Sequence, residues 1–212
     1  MISTSSYKNW KSDLYRTCSI SGDRGMMAKY KGQYYSRLAP EYAFWKVWKD
    51  NIVKIHEREN NLFYIKSYYE EVLSKLDVEE VVSDLEDTTL LCYEDVEEFC
   101  HRHIVAAWIE LLMGKRVPEQ KANGILIEEV KRPEYIKIEL EKVIKEQKNM
   151  RGFNSLRALH LFEKSEILEQ KGDQLIESGK NGYDYKQAAC YLRCDADEAE
   201  AEYNAREKKK SR

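Results

Sequence analysis

The sequence predicts an α/β fold: a small, mostly parallel sheet of about four strands flanked by helices, followed by a C-terminal helical hairpin. Three observations carry this reading. Short apolar or β-branched runs alternate with long helical stretches over the first two thirds of the chain, as a helix-covered parallel sheet requires. Glycine and proline are scarce, at 9 and 3 of 212 residues, so little interrupts the helices. Beyond residue 149 the strand signals vanish and two polar-rich helical segments remain.

Taken in order, Ile2 to Ser5, Tyr15 to Ile20 and Leu90 to Tyr93 read as buried strands, and Ile125 to Val130 as a weaker fourth that Pro133 ends. Helices are predicted over Pro40 to Lys49, Asn61 to Leu76, Val78 to Leu85, Val96 to Met113 and Glu134 to Lys148. Residues 1–148 therefore form the α/β domain and 149–212 the extension. In the extension, Leu156, Leu159, Phe162, Ile167, Leu168 and Leu175 recur at helical steps. Ala188, Ala189, Ala196 and Ala199 would let a second helix approach closely after the Gly179-Lys180-Asn181-Gly182 turn. The hairpin is read as a surface for partner contact or homo-oligomerisation.

Composition narrows the class. A net charge of −3 supplies no global field for nucleic acid, which is not favoured as a partner. No run of about eighteen apolar residues occurs, so no membrane partner is expected. Five cysteines, odd in number and sparse, suit reduced thiols and a cytoplasmic location better than a disulfide scaffold.

In an open parallel sheet, ligands bind beyond the carboxyl ends of the strands, where backbone N–H groups point outward. Three segments qualify: Ser3 to Ser6, Ser19 to Gly25, and Cys92 to Arg102. In the last, a thiol at Cys100 near a helix start suits a nucleophile, Glu94 an acid–base group, and Arg102 an anion partner. The bland readings are that Cys100 packs the helix on the sheet and that Arg102 pairs with Glu98 one turn back. Ser5, Ser19, Ser21, Arg24, Tyr34, Cys92 and His101 complete the expected ligand contacts. The aromatic and cationic tract Tyr30 to Arg37 suits a nucleobase and a phosphate, or a surface loop held down by its tyrosines. Phe44-Trp45-Lys46-Val47-Trp48 and Tyr64 to Tyr69 read as core. No metal is expected, because side chains at adjacent helical positions such as Cys100 and His101 diverge and no Cys-x-x-Cys pair exists. No cofactor motif is present.

With these residues identified, the chain resembles the domain of unknown function 488 family over about residues 1–115. The resemblance rests on Leu90-Leu91-Cys92-Tyr93-Glu94, an acidic stretch, and Phe99-Cys100-His101-Arg102-His103-Ile104-Val105-Ala106. It extends upstream to the serine-rich first strand, to Ser19-Ile20-Ser21 and to Leu38-Ala39-Pro40. Gly22-Asp23-Arg24-Gly25 departs from the Arg-x-Pro type of element that many relatives carry there. The resemblance implies an α/β fold with these elements meeting at one face, and supplies no reaction. The expectation is a protein that binds a phosphorylated or nucleotide-like ligand, a small anionic molecule, with hydrolase or transferase chemistry. Its rival is a non-catalytic binding or interaction protein, a nucleotide-sequestering or defence-related accessory, that uses the same pocket or the hairpin.

Overall fold

A computed structural model describes residues 1–13, 15–150 and 152–210, so Leu14, Arg151, Ser211 and Arg212 lie outside the described residues. The chain divides into two compact units, Met1–Ser74 with Val78–Val143, and Lys75–Asp77 with Ile144–Arg212.

The first unit is an α/β body. Its strands are β1 (Ser3–Ser6), β2 (Trp10–Lys11), β3 (Arg16–Ser19), β4 (Gln33–Tyr34), β5 (Thr88–Cys92), β6 (Glu119–Asn123) and β7 (Leu126–Val130). They run in the order β2-β6-β1-β5-β3-β4, all neighbours parallel, and β7 returns antiparallel on β6. Helices α1 (Tyr42–Asn51), α2 (Glu57–Glu71), α3 (Val78–Asp84), α4 (His101–Met113) and α5 (Glu134–Met150), the last passing into the second unit after Val143, overlap the predicted segments, with α2 lying four to five residues earlier than expected. Helix α4 begins at His101 rather than Val96, five residues later than its periodicity suggests. Strand β6 is absent from the sequence prediction because Glu-Gln-Lys-Ala-Asn carries no apolar alternation. Strands β2 and β4 are two residues each, too short for any periodicity.

Strand β1 lies at the centre of the sheet, yet it is Ser-Thr-Ser-Ser and wholly buried. Buried hydroxyls need partners, and each finds one on a neighbouring strand or turn. Ser3 Oγ meets Thr89 Oγ1 at 2.9 Å, Thr4 Oγ1 donates to Glu119 at 2.6 Å, Ser5 Oγ donates to the Gln120 carbonyl at 2.6 Å, and Ser6 Oγ accepts from Asn9 N at 3.2 Å. The Ser5 hydroxyl, expected among the ligand contacts, is fully buried and bonded to the sheet.

Arg102 is fully buried and ties two segments together. Its Nε and Nη2 lie 3.1 and 3.0 Å from Glu119 Oε1, while Nη1 donates to the Glu94 carbonyl at 2.8 Å and Nη2 to the Asp95 carbonyl at 3.1 Å. The partner is thus Glu119 on β6, not Glu98. His103 Nε2 stands 3.4 Å from Glu119 Oε2, outside aligned hydrogen-bond geometry, and burial lowers the pKa of its ring, which favours the neutral form.

In the second unit, α6 (Leu156–Glu177) and α7 (Tyr183–Lys210) form the predicted hairpin. Ala189, Ala196 and Ala199 are buried along α7, as the small-residue reading expects, and Leu159 is buried on α6; the side chain of Leu156 is outside the description. Ser155 caps α6 by accepting from Ala158 N at 3.3 Å, and Glu200 of α7 accepts from the Asn154 and Ser155 N–H groups at 2.8 Å each. A Cβ at Gly182 would lie 2.1 Å from the Gly172 carbonyl oxygen, so the helices meet there only because both positions are glycine. Among the described residues, no helix is long and apolar enough to cross a membrane.

Removing either member of the buried ion pair strands the other in the core. Arg102→Ala and Glu119→Ala are each expected to lower stability by about 3–5 kcal/mol, read from urea unfolding midpoints. Burial pushes the Glu119 carboxyl up, but His103 and the Arg102 charge outweigh it and hold the group below the usual carboxylate range. Its stabilisation is then complete above the unfolded carboxylate pKa and lost as pH falls through the lower folded value. Glu119→Gln should lessen the acid dependence of stability over that window; an unchanged pH profile would count against the pair.

Candidate functional site

The carboxyl ends of β3 and β5 and the start of α4 open into a cavity of about 700 Å³. Its floor is polar: buried Cys92 at the end of β5, half-buried Glu94 just beyond it, and buried Cys100 and His101 at the start of α4. Its walls are aromatic, with Trp45 and Trp48 from α1, Tyr64 from α2, and Tyr93 and Phe99 from the β5–α4 connection. Ser21, Gly22 and Asp23 from the loop after β3 close one side, and the exposed Met27, Tyr42 and Lys49 mark the mouth.

The late start of α4 shapes the floor. Asp95 closes a turn in which its Oδ1 accepts from Val96 N at 2.7 Å and its carbonyl accepts from Glu98 N at 3.2 Å, while Glu98 accepts from Asp95 N at 2.7 Å. This turn takes up the acidic stretch that reads as a first helical turn. Cys100 is then the residue before the helix, with extended backbone angles of φ −149° and ψ 145°. The argument that Cys100 and His101 must diverge assumed helical geometry at both, and the extended Cys100 removes that assumption.

The floor groups are in mutual contact. Glu94 Oε2 lies 3.0 Å from Cys100 Sγ and 3.5 Å from Cys92 Sγ, and His101 Nδ1 lies 3.5 Å from Cys92 Sγ and 3.9 Å from Cys100 Sγ. His101 Nε2 is 2.9 Å from the Ile20 carbonyl, which can only accept, so Nε2 carries a proton and Nδ1 is turned to the sulfurs. The ligand atoms of Cys92, Cys100 and His101 all lie within 4.8 Å of one another, close enough to hold one metal ion. Burial, with the neighbouring Cys100, pushes the Glu94 carboxyl up to about 7. Burial raises the Cys92 thiol. It opposes ionisation of Cys100 too, but there Cys92, the Arg102 charge and His101 prevail and the thiol is lowered.

The aromatic walls are braced against one another. Trp48 meets the Tyr64 ring at 5.3 Å and the Phe99 ring at 5.7 Å, and Tyr64 meets Phe99 edge to face at 5.4 Å. Trp48 Nε1 donates to Asn61 Oδ1 at 3.1 Å, fixing the indole across the α1–α2 contact. Of these aromatics the sequence reading assigned Trp45, Trp48 and Tyr64 to the core and named Phe99 only as the start of the block that carries the family resemblance. Of the three aromatics within five residues, Phe44, Trp45 and Trp48, only Phe44 is fully buried.

Of the expected site residues, Cys92, Glu94, Cys100, His101 and Ser21 line the cavity. Ser19 sits behind it, bonded to Tyr7 Oη at 2.6 Å and to Ser21 Oγ at 3.1 Å. Arg24 takes a left-handed φ of 62° and places its guanidinium 5.2 Å from the Tyr34 ring centre, and neither residue lines the cavity. Arg102 acts from behind the floor through the Glu94 and Asp95 carbonyls. The expected anion partners are thus engaged elsewhere, and Lys49 is the cation in the cavity lining.

The comparisons agree with the resemblance drawn from the residues. Residues 8–112 match the family model DUF488-N3a, described as the active DUF488-N3 subclade. No match was found among curated proteins or among solved structures.

Asp23 organises the loop that closes one side of the cavity. Its carboxylate accepts from Ser21 Oγ at 2.9 Å, Gly25 N at 2.9 Å, Met27 N at 3.2 Å and Tyr93 Oη at 2.5 Å. Asp23→Ala should speed amide exchange at residues 25–27 and lower stability by about 1–3 kcal/mol while leaving the sheet protected. Unaltered exchange in hydrogen–deuterium measurements would show that the loop has other anchors.

Proposed function

Starting from a DUF488-family domain over residues 8–112, we propose that this protein binds a nucleotide-like ligand through its base and carries out hydrolytic or group-transfer chemistry on it. The observation that carries the proposal is a reactive floor of Glu94, two thiols and an imidazole beneath aromatic walls in a cavity of about 700 Å³. A flat heterocycle suits such walls, since stacking on aromatic side chains is worth about 1–3 kcal/mol per base. The cavity volume is of the order that small-molecule sites occupy, about 300–1,000 Å³.

The arrangement favours recognition of the ring over recognition of a phosphate. Arg24 stacks on Tyr34 and Arg102 is consumed by Glu119, so charge neutralisation at the mouth falls to Lys49, whose Nζ lies 5.0 Å from the Trp48 ring centre. A phosphate, where the ligand has one, is then held at the solvent side while the base goes inward. At the floor, Glu94 stands within reach of a ligand as the acid–base group.

Binding of bases, nucleosides and nucleotides followed by calorimetry and tryptophan fluorescence tests this reading. A base-bearing ligand should bind and perturb the tryptophan emission, and Trp48→Ala should weaken it by about 5- to 150-fold, the equivalent of one lost stack. Removing the phosphate should matter less than removing the base. Mass spectrometry of the ligand after incubation should find it altered by the native protein and unaltered by Glu94→Gln. Indifference of all three ligand classes to Trp48→Ala would end the base-binding reading, and a ligand returned intact by the native protein would end the catalytic one.

A further inference from the structure

We propose that Cys92, Cys100 and His101 bind a zinc ion at the cavity floor, with Glu94 as a fourth ligand that gives way to water. The proposal rests on the reading of the cavity as a reaction site and assigns that site its catalyst.

Geometry is the first argument. Four-coordinate zinc takes Zn–S distances of about 2.3 Å and Zn–N distances of about 2.0–2.1 Å, which in a tetrahedron place sulfur and nitrogen about 3.6 Å apart. Cys92 Sγ and Cys100 Sγ lie 3.5 and 3.9 Å from His101 Nδ1. A ligating carboxylate oxygen should stand about 3.5 Å from each sulfur by the same construction. Glu94 Oε2 stands 3.5 Å from Cys92 Sγ and 3.0 Å from Cys100 Sγ. The two sulfurs and Nδ1 lie within 4.8 Å of one another, and each of these four spacings needs only a few tenths of an ångström of adjustment about a metal.

The backbone and the surrounding contacts point the same way. Cys100 is extended, so its side chain leaves the helix axis and converges with that of His101 despite their adjacency. His101 donates Nε2–H to the Ile20 carbonyl at 2.9 Å, the outer hydrogen bond by which metal-binding histidines fix their tautomer and ring orientation. Two soft thiolates with one imidazole are a donor set that zinc favours, and three protein ligands with an exchangeable position are the arrangement of catalytic zinc. The exchangeable ligand is Glu94, because it sits on the connection between β5 and α4 while the other three belong to the strand end and the helix start.

The site supplies hydrolysis without a redox partner. Water takes the Glu94 position on the metal and gives one proton to Glu94. The resulting hydroxide oxygen forms a bond to an electrophilic carbon of the ligand. That carbon's bond to its leaving group breaks, the electron pair departs with the leaving group, and Glu94 delivers the proton to it.

Zinc content of the full-length protein, after reconstitution with zinc and removal of excess, is the direct test, with cobalt(II) substitution as the spectroscopic readout. The native chain should hold about one zinc and show thiolate-to-cobalt charge transfer. Cys92→Ser, Cys100→Ser and His101→Ala should each lose most of the bound metal, with folding checked by circular dichroism. The Cys190→Ser/Cys194→Ser double variant, altered only at exposed thiols, should retain it. Glu94→Gln should retain zinc more weakly and lose turnover. Absence of metal and of charge transfer in a folded native chain, or full retention in Cys100→Ser, would overturn the proposal. Base binding that persists without metal would leave the cavity reading standing while the zinc site falls; metal binding without base binding would do the reverse.

Discussion

The Arg102 guanidinium, buried between β6 and the β5–α4 connection, is the constraint on which the site depends. A buried cation is tolerable only when its donors are used and its charge is matched, and both conditions hold here. Glu119 supplies the charge, and the carbonyls of Glu94 and Asp95 take one donor each from Nη1 and Nη2, so every guanidinium nitrogen is engaged. The two halves of that bond set belong to different elements, the β5–α4 connection and β6, so the pair does more than stabilise. It draws the backbone at Glu94 toward the sheet and fixes the height at which the Glu94 side chain enters the cavity. Thr4 adds a third contact to Glu119, which couples the same charge to the central strand.

A polar sheet centre follows from this arrangement. Placing Ser-Thr-Ser-Ser between β5 and β6 would be costly in an ordinary apolar core, where each unpaired hydroxyl loses its hydration without compensation. Here the lateral partners are already polar, because Glu119 needs donors and β5 opens with two threonines. The apolar burden moves outward to the helices. Trp108, Ile104 and Ile109 of α4, with Tyr68 and Ile65 of α2, are among the largest fully buried side chains. Tyr68 then meets the His101 ring edge to face at 5.7 Å, so the apolar layer and the reactive floor share a boundary.

How far the sequence discloses this differs from one part to the next. The junction from Leu90 to His103 is legible because a compact apolar run leading into a long periodic helix has one common meaning, a buried strand followed by its covering helix. Cys92, Glu94, Cys100 and His101 all belong to that junction, but the same helical reading set Cys100 and His101 apart, whereas the structure brings them together. Arg102 is legible as charged but not as buried, since its partner lies on a strand whose own residues look like a solvent-facing loop. The aromatic walls escape for a related reason: Trp45, Trp48 and Tyr64 obey the helical spacing of core residues, and a cavity wall has the same periodicity as a core. Arg24 shows the converse, a cation in a promising loop whose left-handed backbone turns it onto Tyr34.

The one-residue question of where α4 begins decides the chemistry of the floor. Were Cys100 helical, its side chain and that of His101 would leave the axis about 100° apart and could not share a partner. The turn closed by Asp95 prevents this by spending Val96 to Phe99 before the helix starts, and Asn9 holds that turn through a 2.6 Å bond to Asp95 Oδ1. The acidic residues near Cys100 are mostly committed elsewhere: Asp95 to Asn9, Lys8 and Val96, and Glu98 to the Asp95 amide. Only Glu94 is carried into contact with both sulfurs. The acidic stretch therefore acts less as a field on Cys100 than as the device that turns it out of the helix and into the cluster.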